Sequence, residues 1–204
     1  MTLKIALAQT NFLVGNITAN VNNIIKAAIY ARDELSADII VFPELTITGY
    51  PAEDLLLRAD FIAAANNAVY QLAEQVTGIA LVVGFPEFDG DKLYNSAVVL
   101  HQGVMLARYR KQALPNYGVF DEQRYFAAGN QTCVFEFNGI FIGLTICEDV
   151  WKSGIIDAEE LSPFAVSARY PGEDEEVSKQ EAVRALTVAE QVRKAVRAVL
   201  GKKS

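Results

Sequence analysis

Histidine is almost absent: His101 is the single one in 204 residues. A Cys–His or Ser–His pair therefore has one candidate, and thiol chemistry elsewhere in the chain needs a different base. Cysteine is nearly as scarce. Cys133 and Cys147 are the only two, too few for a disulfide framework. They also lack ligand spacing, and with no paired histidines no metal site is expected. No apolar run approaches the ~20 residues of a membrane span. The opening MTLKIALAQT turns polar too soon for a secretory signal. A cytoplasmic chain with reduced thiols and no membrane partner is the expectation. Positive charge is in the minority, with 18 Lys and Arg against 25 Asp and Glu and a net charge of -7. That balance argues against nucleic acid as a partner. Apolar residues are plentiful at 51%, enough for one sizeable core or one core plus an appendage.

Residues 3–9 and 37–42 read as strands. Between them, residues 18–35 place Val21, Ile24, Ile25, Ala28, Ala31 and Leu35 at helical spacing. The chain thus opens β-α-β, for which a parallel pair with a right-handed crossover is the default. Glu53 and Asp54 suit the first turn of a short helix, and Asp60 reads as the N-cap of a helix reaching about Val76. Residues 79–84 are another buried strand, and FPEFDGDK (85–92) reads as a loop. Residues 95–100 and 104–109 form a β-hairpin about His101, Gln102 and Gly103. His101 there reads as an exposed or capping side chain. Residues 132–137 and 141–146 form a second hairpin across Asn138-Gly139.

Three strand ends carry reactive side chains. The apolar run 141–146 stops at Cys147, with Glu148 and Asp149 directly behind it. The run reads as a buried strand, which puts the thiol at the lip of a sheet, where α/β folds keep ligand sites. The plainer reading is a core cysteine. Strand 37–42 runs into Phe42-Pro43-Glu44-Leu45, and Pro43 ends the regular backbone. Glu44 is then either a solvated loop carboxylate or, embedded among Phe42, Pro43, Leu45 and Ile47, a desolvated general base. Lys111 follows a hairpin strand and heads a loop rich in aromatics, among them Tyr117, Phe120, Tyr125 and Phe126. It is a surface lysine unless that loop is packed and functional. If the three ends converge in one sandwich, a chemistry follows. A thiolate is the nucleophile. Glu44 takes the thiol proton in place of a histidine. Lys111 favours the thiolate and, with the backbone N–H after Cys147, stabilises an oxyanion. The intermediate is a thioester that water resolves.

These stretches resemble the motifs of the carbon–nitrogen hydrolase (nitrilase) superfamily, whose Glu-Lys-Cys triad has this chain order. More closely, GYPAEDLLLR, RKQALPNYGVFDEQRYF and ICEDVW are similar to the glutaminase domain of glutamine-dependent NAD synthetases. The similarity runs from the N-terminus to about Trp151. It implies Glu44 as general base, Lys111 as second catalytic residue and Cys147 as nucleophile. It implies Tyr117 and Glu148 as substrate contacts and Glu122 as a carboxylate that orients the triad. It also implies an α-β-β-α sandwich, glutamine as substrate and homo-oligomers. The glutaminase step would need no cofactor. The ammonia would pass to a separate NAD synthetase domain that uses ATP and magnesium to convert the deamido dinucleotide to NAD.

The resemblance stops near Trp151, so residues 1–153 read as a truncated carbon–nitrogen hydrolase domain, and neither its remainder nor the synthetase domain is recognisable. Residues 154–204 read as a helical tail that resembles the end of a HEPN domain. A short helix is expected at 157–169 and an amphipathic one at 178–200, opened by a capping box at Ser178 to Glu181. The tail lacks the histidine of the HEPN nucleases. Half a sandwich would leave strand 141–146 under-covered. Two alternatives stand beside the glutaminase: an inactive truncated or fused derivative acting as an interaction module, and another carbon–nitrogen hydrolase such as a nitrilase, amidase or carbamoylase.

Overall fold

The computed structural model describes residues 2–152 and Gln180. The expectations for the tail, 154–204, fall outside these residues. The chain divides into two units, Met1–Ile146 and Cys147–Ser204.

The first unit is built on a five-stranded sheet in the order β1-β2-β3-β4-β5. Strands β1 (Ile5–Leu7), β2 (Ile39–Val41) and β3 (Ala80–Asp89) run parallel. Helices α1 (Ile17–Asp33) and α2 (Ala59–Gln75) lie in the crossovers between them. Strands β4 (Lys92–His101) and β5 (Val104–Arg110) continue the sheet antiparallel. The sheet is buried on both faces where it is central, and its side chains alternate accordingly. Ile40, Leu81, Val83, Val98 and Leu100 meet Val21, Ile24 and Ala28 of α1 and Ala65, Val69 and Leu72 of α2. Each such aliphatic side chain contributes about 1.5–3 kcal/mol on full burial. Ile39, Ala80, Val82 and Val99 face the other way, onto Phe135 and Phe137. Those two belong to β6 (Cys133–Phe137), which pairs with β7 (Ile140–Leu144) in a separate two-stranded ribbon. The described part is therefore a mixed α/β fold in three layers: helices, sheet and ribbon.

Several expectations change. Asp60 does not cap α2. Arg58 occupies the N-cap position with extended backbone and no side-chain cap. Asp60 lies inside the helix and pairs with Arg58 at 2.8 Å. The segment FPEFDGDK is not a loop but the tip of a hairpin, paired from Leu81↔Leu100 out to Asp89↔Lys92. The polar residues in it concealed a strand because their partners are distant in sequence. Ser96 donates to Glu87 at 2.7 Å, Arg108 at 2.6 Å, and Arg110 at 2.9 and 2.7 Å. Burial would raise the Glu87 carboxyl, but Arg110, Ser96 and Arg108 hold it below the ordinary range. Strand β7 is only half-buried: Phe141 is 66% exposed, while Ile142 and Leu144 pack inward. His101 is neither exposed nor a cap. Its ring lies edge-on to Phe137 with centroids 5.1 Å apart, across the two sheets. Both hairpin turns follow their residues: Gln102-Gly103 and Asn138-Gly139 have positive φ throughout, as two-residue turns of this kind require.

Within the second unit, Cys147 leads into a short helix, α3 (Glu148–Lys152). Among the described residues, no helix is long and apolar enough to cross a membrane.

Candidate active site

Lys111 is the centre of the site. Its backbone extends the β4–β5 ladder by one rung: its N–H donates to the Asn95 carbonyl at 2.8 Å, and its carbonyl accepts from Gly129 at 2.8 Å. The side chain is 0% exposed. It is not a surface lysine. Nζ donates to Glu44 Oε1 at 2.7 Å and to Glu122 Oε1 at 2.9 Å. Burial alone would push the ammonium down, but the two carboxylates outweigh it and raise its pKa. Lys111 is thus a fixed cation at any neutral pH.

Glu44 reaches the lysine from the loop after β2. Phe42 still donates to Val82 of β3. The chain then turns over, with Leu45 at φ +49 and the Thr46 hydroxyl donating to the Pro43 carbonyl. The loop lies so close to β3 that a Cβ on Gly84 would sit 2.5 Å from Leu45 N. Asn95 Nδ2 also donates to Glu44 Oε1, at 2.6 Å. Glu44 is therefore largely enclosed, with its side chain 12% exposed, and is not a solvated loop carboxylate.

Glu122 comes from a short 3-10 turn, Glu122–Arg124. Its N–H donates to the Pro115 carbonyl at 3.2 Å, and Tyr50 donates to its Oε1 at 3.2 Å. Oε2 is buried with no partner. Burial first, and the Glu44 charge second, push this carboxyl up to about 7 against the pull of Lys111. Glu122 also lines a pocket of about 250 Å³, together with Leu45, Tyr50, Asp54 and Tyr125. Tyr117 is exposed, and its ring stands edge-on to Phe120 with centroids 5.7 Å apart. Phe120 in turn lies against Tyr50, at 6.4 Å.

Glu44, Lys111 and Glu122 are thus brought together in the first unit. Ile146, the last residue of that unit, is buried with Ala97 and Tyr109. Cys147 begins the second unit. It is exposed, which sets aside the reading as a core cysteine. Its φ of +45 is a conformation that costs a side-chain-bearing residue roughly 1–2 kcal/mol. Glu148, next in the chain, is buried.

Sequence reasoning missed Asn95, Tyr50, Gly84 and Gly129. Asn95 is fully buried on β4; an amide directly ahead of the apolar run Ala97 to Leu100 was the available signal. The two glycines gave none, since their role is close approach. A Cβ on Gly129 would sit 2.3 Å from the Arg110 carbonyl oxygen.

A buried lysine clamped by two carboxylates at the strand ends of a helix–sheet–ribbon fold defines a class. Residues 4–156 match the carbon–nitrogen hydrolase family, and the chain belongs to that family. Within it, the chain is similar to the glutamine-dependent NAD(+) synthetase of Xanthomonas campestris, with 49% identity over 152 residues that cover 74% of this chain and 28% of that one. The solved structure of glutamine-dependent NAD+ synthetase from Acinetobacter baumannii superposes with a TM-score of 0.72 at 44% identity, covering 80% of this chain and 30% of that one. An amidase from Nesterenkonia sp. AN1, of the nitrilase superfamily, is a more distant neighbour. One of its variants, with an acetamide moiety covalently added at the active site cysteine, matches at 28% identity with a TM-score of 0.65, covering 72% of this chain and 56% of that one. The chain spans about 28% of the length of the Xanthomonas synthetase.

Proposed function

We propose that the chain is a glutamine amidohydrolase, acting through Glu44, Lys111 and Cys147 to release ammonia for NAD synthesis. The observation that carries this reading is the buried Lys111 ammonium, bonded to both Glu44 and Glu122, in a chain 49% identical to a glutamine-dependent NAD(+) synthetase.

Glu44 removes the Cys147 proton as Sγ attacks the side-chain amide carbon of glutamine. The carbonyl oxygen becomes an oxyanion in the tetrahedral intermediate, and the fixed Lys111 cation stabilises it. The intermediate collapses with cleavage of the C–N bond. Glu44 returns its proton to the leaving nitrogen, and ammonia departs from a γ-glutamyl thioester. Glu44 next takes a proton from water, whose oxygen attacks the thioester. Glutamate leaves and the thiol recovers its proton. Lys111, which stays charged, takes no part in this transfer. Glu122 orients Lys111, while Tyr117 and Glu148 bind glutamine. No cofactor enters this step. ATP and magnesium belong to the amidation that consumes the ammonia, on a NAD synthetase domain as partner.

The structural likeness to the Nesterenkonia amidase favours a second reading, hydrolysis of simple amides by the same residues. Ammonia release by the purified chain separates the readings. Release from glutamine that Cys147→Ala abolishes supports the first. Release from short aliphatic amides but not from glutamine supports the second. No release from either, by folded protein, leaves neither standing and favours a role as an interaction module.

A further inference from the structure

Asn95 has no part in the reading above, yet it touches two of the three charged members of the site in the first unit, Glu44 and Lys111. Its backbone carbonyl receives the Lys111 N–H at 2.8 Å. Its side-chain Nδ2 donates to Glu44 Oε1 at 2.6 Å, the oxygen that also accepts from Lys111 Nζ at 2.7 Å. Both donors thus converge on one oxygen of the carboxylate. Oε2 of Glu44 receives no hydrogen bond among the described residues. Asn95 is 0% exposed, and its Oδ1 is buried with no partner. A side chain chosen for stability alone would not leave an acceptor unpaired in the core, a defect that costs about 1–3 kcal/mol. The amide is kept for its donor.

We propose that Asn95 is a positioning residue. It locks the Glu44 carboxylate by Oε1 and so leaves Oε2 as the atom that moves the proton. The inference rests on the role given to Glu44 in the proposed function. One strand, β4, then sets the place of the base through its side chain and of the cation through its backbone. A carboxylate held by Lys111 alone can pivot about that single bond, and its free oxygen loses its aim. A misaimed base slows proton transfer without changing how substrate binds.

The test compares wild type with Asn95→Leu, of nearly the same volume, and with Asn95→Ala in case the leucine does not fit. Asn66→Ala serves as a control, since Asn66 bonds only to the Ile62 and Pro86 carbonyls and lies outside the site. In Asn95→Leu the unpaired Oδ1 is gone and Glu44 Oε1 keeps Lys111. The melting temperature should therefore hold while kcat for glutamine falls about 10- to 100-fold, with KM within about threefold. Crystal structures should show the Glu44 carboxylate rotated away from its wild-type place. A kcat that falls only in step with the folded fraction, as in Asn66→Ala, overturns the inference, and so does a Glu44 carboxylate that stays in place. If wild type releases no ammonia, the glutaminase reading fails on its own. The position of the Glu44 carboxylate in the variant then decides the inference alone.

Discussion

Replacing Glu122 by glutamine should cost little stability at acid pH and raise it near neutrality, although it breaks a buried ion pair. Loss of one partner from a buried pair ordinarily costs about 3–5 kcal/mol, because the other charge is stranded. Lys111 is not stranded here, since Glu44 still accepts from Nζ at 2.7 Å. Glu122 itself is a reluctant anion. Burial and the Glu44 charge raise its carboxyl from 4.5 to about 7, so the folded state favours the protonated form that glutamine imitates. The sign of the pH effect follows. Below about pH 4.5 the group is protonated in both folded and unfolded chains and contributes in full. Between about pH 4.5 and 7 the unfolded chain releases the proton and the folded chain keeps it, so stability falls as pH rises. The loss totals about 3 kcal/mol, and above pH 7 the contribution is flat. Glu122→Gln lacks this term. Urea denaturation of both proteins at half-unit steps from pH 4.5 to 8 should give curves that converge on the acid side. They should separate by about 3 kcal/mol, variant above wild type, by pH 7.5. The difference cancels the acids common to both chains, Glu87 included. Parallel curves would refute the reasoning, for they would mean that Glu122 ionises in the core as readily as in water.

Lys111→Met should destabilise by about 3–5 kcal/mol at pH 8, since it leaves Glu44 and Glu122 facing each other without a cation. The loss should shrink toward pH 5 as the Glu122 carboxyl takes up its proton, and the same urea titrations measure it. Gly129→Ala should lower stability by about 1–3 kcal/mol, because its Cβ would sit 2.3 Å from the Arg110 carbonyl oxygen and would part the Gly129 N–H from Lys111. Thermal unfolding tests this, and an unchanged midpoint would show that the loop can shift without loss.

The frame of this fold was legible where the chain states its needs locally. The apolar stripe of α1, the unbroken run of β2 and the Asn138-Gly139 turn each name their own structure, and each formed where expected. The site was legible in part for a different reason. A proline that ends a strand, or a lysine that follows one, says where a side chain emerges, but not what waits there. Lys111 read equally well as a surface lysine until Glu44, 67 residues earlier, and Glu122 closed on it. The same gap hid β3 beyond Gly84, because Glu87 looks like loop until Arg108 and Arg110 are placed beside it. Charge in a core can be recognised only with its partners, and those partners are long-range by construction. Asn95 and Gly129 mark the limit of this rule. One supplies a donor to a carboxylate 51 residues away; the other supplies nothing but the room for two backbones to touch. Neither leaves a periodicity to read. Both bear on Lys111 all the same, and a substitution at either would disturb the site through residues that a reading of the triad alone would leave untouched.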